Sequence, residues 1–261
     1  MKIQASVICH EGCVRSNNED NYYLQGQIRQ DVDDLNNRAQ FDGSDDCVLF
    51  AVADGMGGEA QGEFASLMAV RSLRPCTVEQ IQTVATRSIA RANALICREI
   101  ERINRRMGTT LVALYIDAGK AVACNVGDSR AYLLRGGSLT QLTTDHSQVQ
   151  QLVDLGILTR EEARHHKGRH ALTQHLGIFE HEIIIQPAFS QVLKLQAGDT
   201  FLLCSDGLTD MVDDPAIQAS LSLGTPESQA HELIRKALAA GGRDNVTVLV
   251  ATVSGQESNN G

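Results

Sequence analysis

Leu111-Val-Ala-Leu-Tyr-Ile116 carries an apolar or ring-bearing side chain at every position. It is too short to span a bilayer and reads as a strand. Near the other end of the chain, Val246-Thr-Val-Leu-Val-Ala-Thr-Val253 has the same character. A strand with one wet face alternates apolar and polar residues. These two do not, so both of their faces are covered. Thr109–Asp117, Lys120–Val126, Arg130–Arg135 and Leu139–Thr143 are strand-like and are separated by Ala-Gly, Gly-Asp-Ser and Gly-Gly. Links this short force antiparallel pairing. Amphipathic helices are available elsewhere in the chain. The economical fold is therefore an α/β (α+β) protein in four layers, two antiparallel sheets packed together with helices outside each.

The helices come from a change of period. After Gly58, Phe64, Leu67, Met68 and Leu73 share one helix face, and Pro75 ends that helix. A longer helix runs from about Val78 to Arg106, with Ile81, Val84, Ala85, Ile89, Ala92, Ile96, Ile100 and Ile103 on one stripe. Its other face is rich in Arg and Glu and reads as wetted surface, with docking as the alternative. Residues 145–182 look like a mobile flap: helical Ser147–Leu155, a capping box at Thr159-Arg-Glu-Glu162, then His165-His-Lys-Gly-Arg-His170. Strands resume at Ile183–Pro187 and Thr200–Cys204, and a helix over Glu227–Ala239 precedes the last strand.

Residues 29–46 carry Asp31, Asp33, Asp34, Asp42, Asp45 and Asp46 and few apolar anchors, which predicts an exposed, mobile hairpin loop. Calcium binding is the alternative there, but the loop lacks the usual glycine-and-glutamate pattern. The tail 255–261 is disordered by composition. No repeat or linker interrupts residues 1–254, so one domain is expected.

Composition limits the function. The chain has 261 residues and a formal net charge of −9. Such an acidic protein is poorly suited to holding nucleic acid through its phosphates. The seven cysteines form no C-x-x-C pair, which points to a reducing compartment. Met1-Lys-Ile-Gln-Ala-Ser6 has no signal-peptide character, and no later segment could span a bilayer. A cytoplasmic protein without membrane contact is expected. No segment marks an oligomerisation face, so a monomer is expected.

The acids are placed with a pattern. Asp54 ends the apolar run Cys47–Ala53 and opens Asp54-Gly-Met-Gly-Gly58. Asp128 ends the strand Ala121–Val126, and Asp206 ends Phe201–Ser205. Asp244 precedes the last strand, and Glu19 and Asp20 precede a short strand through Tyr22. Each alone reads equally as a turn residue. Strand ends gather at the rims of a sandwich, and several carboxylates meeting there need cations. Carboxylate and carbonyl oxygens suit Mg²⁺ and Mn²⁺.

These stretches, with Arg15-Ser-Asn-Asn-Glu-Asp20, Met107-Gly-Thr-Thr110, Val126-Gly-Asp-Ser-Arg130, Thr144-Asp-His146, Ser205-Asp-Gly207 and Gly242-Arg-Asp-Asn245, resemble in order and spacing the bacterial metal-dependent type 2C Ser/Thr protein phosphatases, the PPM family. The four-layer sandwich is similar to that family's fold. The resemblance implies hydrolysis of phosphoserine and phosphothreonine in proteins, opposing a cognate Ser/Thr kinase that acts on the same substrates. It implies two Mn²⁺ or Mg²⁺ ions, bridged by Asp54, with the Gly55 carbonyl on one and Asp206 and Asp244 on the other. Glu19 and Asp20 would act through waters on the ions. Asp128 with Asp206 would form a third, weaker site, and Arg15 would hold the substrate phosphate.

The sequence departs from several eukaryotic relatives at Met56, where they carry a histidine proposed to protonate the leaving group. A thioether cannot do this. A water on a metal, or His165, His166 or His170 of the flap, remains as the donor. A solvated basic patch is the other reading of these histidines. Two further functions stay open: a phosphatase dedicated to one regulatory protein of the anti-sigma antagonist type, and a non-catalytic phosphoprotein-binding module. The second would require loss of a metal ligand, and Asp54, Asp206 and Asp244 are all present.

Overall fold

The computed structural model describes residues 1–31, 34–57 and 61–255. Gly58 and the tail from residue 256 lie outside the described residues. In chain order the elements are β1 (Lys2–His10), β2 (Asn21–Leu24), β3 (Asn37–Ser44), β4 (Val48–Ala53), β5 (Gly55–Met56), α1 (Gln61–Ser72) and α2 (Ile81–Ile103). Then come β6 (Gly108–Thr109), β7 (Leu111–Asp117), β8 (Lys120–Val126), β9 (Arg130–Arg135), β10 (Ser138–Gln141), α3 (Gln148–Asp154) and α4 (Arg160–His165). The chain closes with β11 (Ala188–Phe189), β12 (Leu193–Lys194), β13 (Thr200–Cys204), α5 (Asp206–Thr209), α6 (Asp214–Leu221), α7 (Pro226–Ala239) and β14 (Val246–Ser254).

One sheet has the order β10-β9-β13-β14-β1-β3 and the other β11-β8-β7-β4-β2, with β12 also on β8. Every pairing is antiparallel. The two runs that decided the fold show why there are four layers. In β7, Leu111, Ala113 and Tyr115 face a core shared with α1 and α2. Val112, Leu114 and Ile116 face a second core between the sheets, opposite Phe201 and Leu249. In β14, Leu249, Ala251 and Val253 enter that middle core, whereas Val246, Val248 and Val250 meet Ile217 of α6 and Leu233 of α7. Three apolar interfaces separate four layers. Each fully buried aliphatic side chain contributes roughly 1.5–3 kcal/mol.

The long helix matches its expected stripe, with Ile81, Ala85, Ile89, Ala92, Ile96 and Ile100 buried. It begins at Ile81, after a short 3₁₀ turn over Val78–Gln80, and ends at Ile103, capped by Asn104 at φ 54°. α1 differs from expectation. Its fully buried positions are the small residues Ala65, Ser66 and Ala69 together with Val70, and Phe64, Leu67 and Met68 pack only partly buried beside them. Small side chains let this helix lie close to β4 and α2, a packing that hydrophobic size alone did not reveal.

Two further expectations are corrected. Within 29–46, residues 37–44 form the edge strand β3, paired with β1 from Lys2↔Ser44 to Cys9↔Asn37. Ala39 and Phe41 turn inward to the middle core, and alternate residues face solvent. Two apolar anchors suffice because the neighbouring strand supplies the hydrogen bonds. The expected strand Ile183–Pro187 is irregular; Ala188–Phe189 and Leu193–Lys194 pair with β8 instead. Pro187 has no N–H to donate to a ladder, and Ile184 is exposed. Residues 145–182 stand outside both sheets and carry α3 and α4, and the capping box at Thr159 and Glu162 is formed. No described helix is long and apolar enough to cross a membrane.

Candidate metal centre

Register places the acids. Ala53, at the end of β4, pairs with Asn21 at the start of β2. Leu111, at the start of β7, pairs with Val126 at the end of β8. Asp54, Glu19, Asp20 and Asp128 therefore leave one sheet at the same rim. In the other sheet Cys204, the end of β13, pairs with both Val248 and Arg130. Val246, the start of β14, pairs with His10, the end of β1. Arg15, Asp206 and Asp244 thus leave that sheet together. The three residues Gly127-Asp128-Ser129 join β8 to β9, so the two rims are adjacent.

Hydrogen bonds close the gap between the sheets. Asp20 Oδ2 accepts from Ser205 Oγ and Thr247 Oγ1, each at 2.7 Å. Asn245 Oδ1 accepts from the Glu19 N–H at 2.9 Å, and its Nδ2 donates to the Asn17 carbonyl at 2.7 Å. Asp54 is held through its backbone. Its carbonyl accepts from Thr110 N–H at 2.9 Å and Thr109 Oγ1 at 2.8 Å, and its N–H donates to Thr110 Oγ1 at 3.1 Å. The Asp54 and Asp206 carboxyls come close enough for each to shift the titration of the other. Arg15 Nη2 donates to Asp244 Oδ2 at 2.7 Å.

Backbone approach is equally tight. A Cβ at Gly55 would lie 2.3 Å from the Gly62 carbonyl oxygen and 2.5 Å from that of Glu19. A Cβ at Gly207 would lie 2.0 Å from the Asn245 carbonyl oxygen. Both Asp-Gly pairs are thus packing requirements, with the carboxylate held where the chains cross.

The electrostatics show the cost of the cluster. Burial, then the charges of Asp20, Asp206, Asp128 and Asp244, hold Asp54 well above the ordinary carboxylate range. Burial and Asp206 do the same to Asp128. Asp20 is raised to about 7, by burial first and then by Asp206 and Asp244, against the pull of its Ser205 and Thr247 bonds. At Asp206 burial also pushes upward, but hydrogen bonds from His170 and Asp54 outweigh it and the carboxyl titrates low. Asp20 Oδ1 is fully buried and has no partner among the described residues. Crowded carboxylates, an orphaned buried oxygen and glycine-lined backbone form a donor set that fits hard divalent cations.

The flap contributes one of its histidines. His170 Nδ1 lies 3.4 Å from Asp206 Oδ2 and its Nε2 lies 3.4 Å from Asp210 Oδ2. His165 and His166 are not brought to the acids; they pair within the flap, with Glu161 at 3.2 Å and the Gly168 N–H at 3.1 Å. Met56 is partly buried in the ribbon β5–β6. The sequence motifs held Thr109, Thr110, Ser205 and Asn245, and the last strand held Thr247, without assigning them work. Their work is to fix Asp54, Glu19 and Asp20, through contacts between residues distant in sequence.

The fold and rim define a class. A family model described as protein phosphatase 2C matches residues 23–240, and the chain belongs to that family. It is 37% identical over 248 residues to the Serine/threonine protein phosphatase PstP of Mycobacterium tuberculosis, across 93% of this chain and 43% of that protein. It is 39% identical over 237 residues to the Serine/threonine phosphatase stp of Listeria monocytogenes, across 87% of this chain and 92% of that protein. The chain thus spans less than half of PstP and nearly all of stp. The crystal structure of the PstP catalytic domain in complex with two manganese ions matches with a TM-score of 0.79 at 34% identity, over 98% of this chain and 100% of that one.

Proposed function

We propose that this chain is a divalent-metal-dependent phosphatase acting on phosphoserine and phosphothreonine in proteins. The observation that carries the reading is the convergence of Asp54, Asp128, Asp206, Asp244, Glu19 and Asp20 from the strand ends of both sheets. Family membership and the manganese ions of the PstP structure support it. The non-catalytic alternative would require loss of a metal ligand, and Asp54, Asp206 and Asp244 are all present in the chain.

Asp54, the Gly55 carbonyl, Asp206 and Asp244 would hold two Mn²⁺ or Mg²⁺ ions, with Glu19 and Asp20 in the surrounding shell and Asp128 with Asp206 as a weaker third site. Such ions supply an acidified water as nucleophile and neutralise charge on the phosphoryl oxygens. The chain's own residues do the rest. Arg15 is exposed at the mouth of the cluster, and its guanidinium matches two phosphate oxygens while staying charged. Asp20 orients the rim through Ser205 and Thr247. His170, 3.4 Å from Asp206 Oδ2, would be the flap residue that gives a proton to the leaving oxygen, a role Met56 cannot fill. The phosphoproteins are substrates that a Ser/Thr kinase produces. All seven cysteines are free, which favours a reducing, cytoplasmic setting.

The test is release of phosphate from a phosphothreonine peptide by the purified chain. Turnover with added Mn²⁺ and none with EDTA is expected. Full turnover in EDTA would remove the reading.

A further inference from the structure

A groove of about 550 Å³ opens beside the acid cluster, between the flap helices α3 and α4 and the sheet rim. At one end it meets Asp128 and Asp206. Its remaining acids have cations of their own. Asp145 pairs with Arg130 at 2.6 Å, Asp210 with Arg169 at 3.6 Å, and Asp214 with Arg164 at 4.0 Å. Arg160, at the start of α4, and Arg243, beside Asp244, also line the groove. Both are exposed, and neither has an acidic partner among the described residues. Two uncompensated guanidinium groups in one groove stand out on a chain with a net charge of −9.

We propose that this groove binds a second anionic group of the phosphoprotein, carried close in sequence to the phosphoresidue being hydrolysed. The inference rests on the phosphatase reading and names its substrate class: phosphosites flanked by a carboxylate or by another phosphoryl group. Both present oxygens that a guanidinium binds in the same forked geometry. The metal end of the groove is neutralised by its cations when loaded, so the free positive charge left for a substrate is that of Arg160 and Arg243. Their exposure sets the scale. Rim charge pairs are modest and salt-screened, so a preference of about three- to tenfold in kcat/KM is expected.

The experiment compares three phosphothreonine peptides of equal length with the Mn²⁺-loaded full chain: neutral flanks, glutamate flanks, and a second phosphothreonine. p-Nitrophenyl phosphate, which has no flanks, reports the basal chemistry. The wild type should prefer the anionic peptides, and the preference should shrink as salt rises. The arm with the larger gain identifies carboxylate or phosphate as the partner. Arg160→Gln should erode the preference and leave p-nitrophenyl phosphate turnover within about twofold, since Arg160 lies on the flap and is not among the residues that would hold the ions. Arg243→Gln should act in the same direction. Equal kcat/KM for all three peptides, or a preference that survives both substitutions together, overturns the inference while the phosphatase reading stands. Absence of turnover on every substrate overturns both.

Discussion

Arg15 Nη2 lies 2.7 Å from Asp244 Oδ2, although 229 positions separate the two residues in the chain. They meet because His10 and Val246 are register partners, so the loop after β1 and the residues before β14 leave the rim side by side. The side chains are 51% and 42% exposed, and a pair this wet contributes about 0–1 kcal/mol. Arg15→Ala should therefore leave the melting temperature nearly unchanged. It should raise KM for p-nitrophenyl phosphate several-fold, because phosphate capture is lost. An unchanged KM would make Arg15 a structural residue.

Asp20 gives a pH dependence whose sign is fixed. Its folded-state pKa is about 7, above the ordinary 3.8. The folded metal-free chain thus holds this proton more tightly than the unfolded one. The contribution of Asp20 to stability is most favourable below the lower value and falls as pH rises towards the upper. Divalent cations require ionised carboxyls and relieve that penalty. The rise in melting temperature on adding Mn²⁺ should be larger near about pH 7.5 than near about pH 5. Equal rises at both would show that no such proton is displaced.

Gly55 is required by close approach. A methyl group there would meet two backbone carbonyl oxygens, of Gly62 and Glu19, and neither can turn aside as a flexible side chain would. Gly55→Ala should cost about 1–3 kcal/mol in urea unfolding and abolish most turnover by displacing Asp54. Wild-type stability would show that the crossing leaves room for a methyl group.

Tyr115 points the other way. Its ring is fully buried beneath α1 and α2, and its hydroxyl has no partner among the described residues. Burying an unbonded hydroxyl costs about 1–3 kcal/mol, so Tyr115→Phe should match or exceed wild-type stability in the same unfolding measurement. A clear loss would reveal a hidden partner for the hydroxyl.

Much of this was legible in the sequence because the decisive signals were local. Leu111–Ile116 and Val246–Val253 lacked alternation, and that alone required covered faces and hence four layers. Asp54, Asp128, Asp206 and Asp244 each sat at a strand end, and register brought them to one rim. The illegible parts depended on neighbours. β3 carries only Ala39 and Phe41 as anchors and is a strand because β1 supplies its ladder. The buried face of α1 is built from Ala65, Ser66 and Ala69, whose value lies in how closely they let β4 approach. His170 could not be separated from His165 and His166 by sequence, since only the path of the flap turns one of the three towards Asp206.

The most direct measurement is the number of Mn²⁺ ions bound per chain, read by the loss of the free-ion paramagnetic resonance signal during titration, for the wild type and for Asp206→Asn. At least two ions are expected on the wild type and at least one fewer on the variant, with unchanged circular dichroism and no phosphatase turnover. A wild type that binds no Mn²⁺, or a folded variant that binds as many ions as the wild type and turns over normally, would contradict the metal-dependent reading.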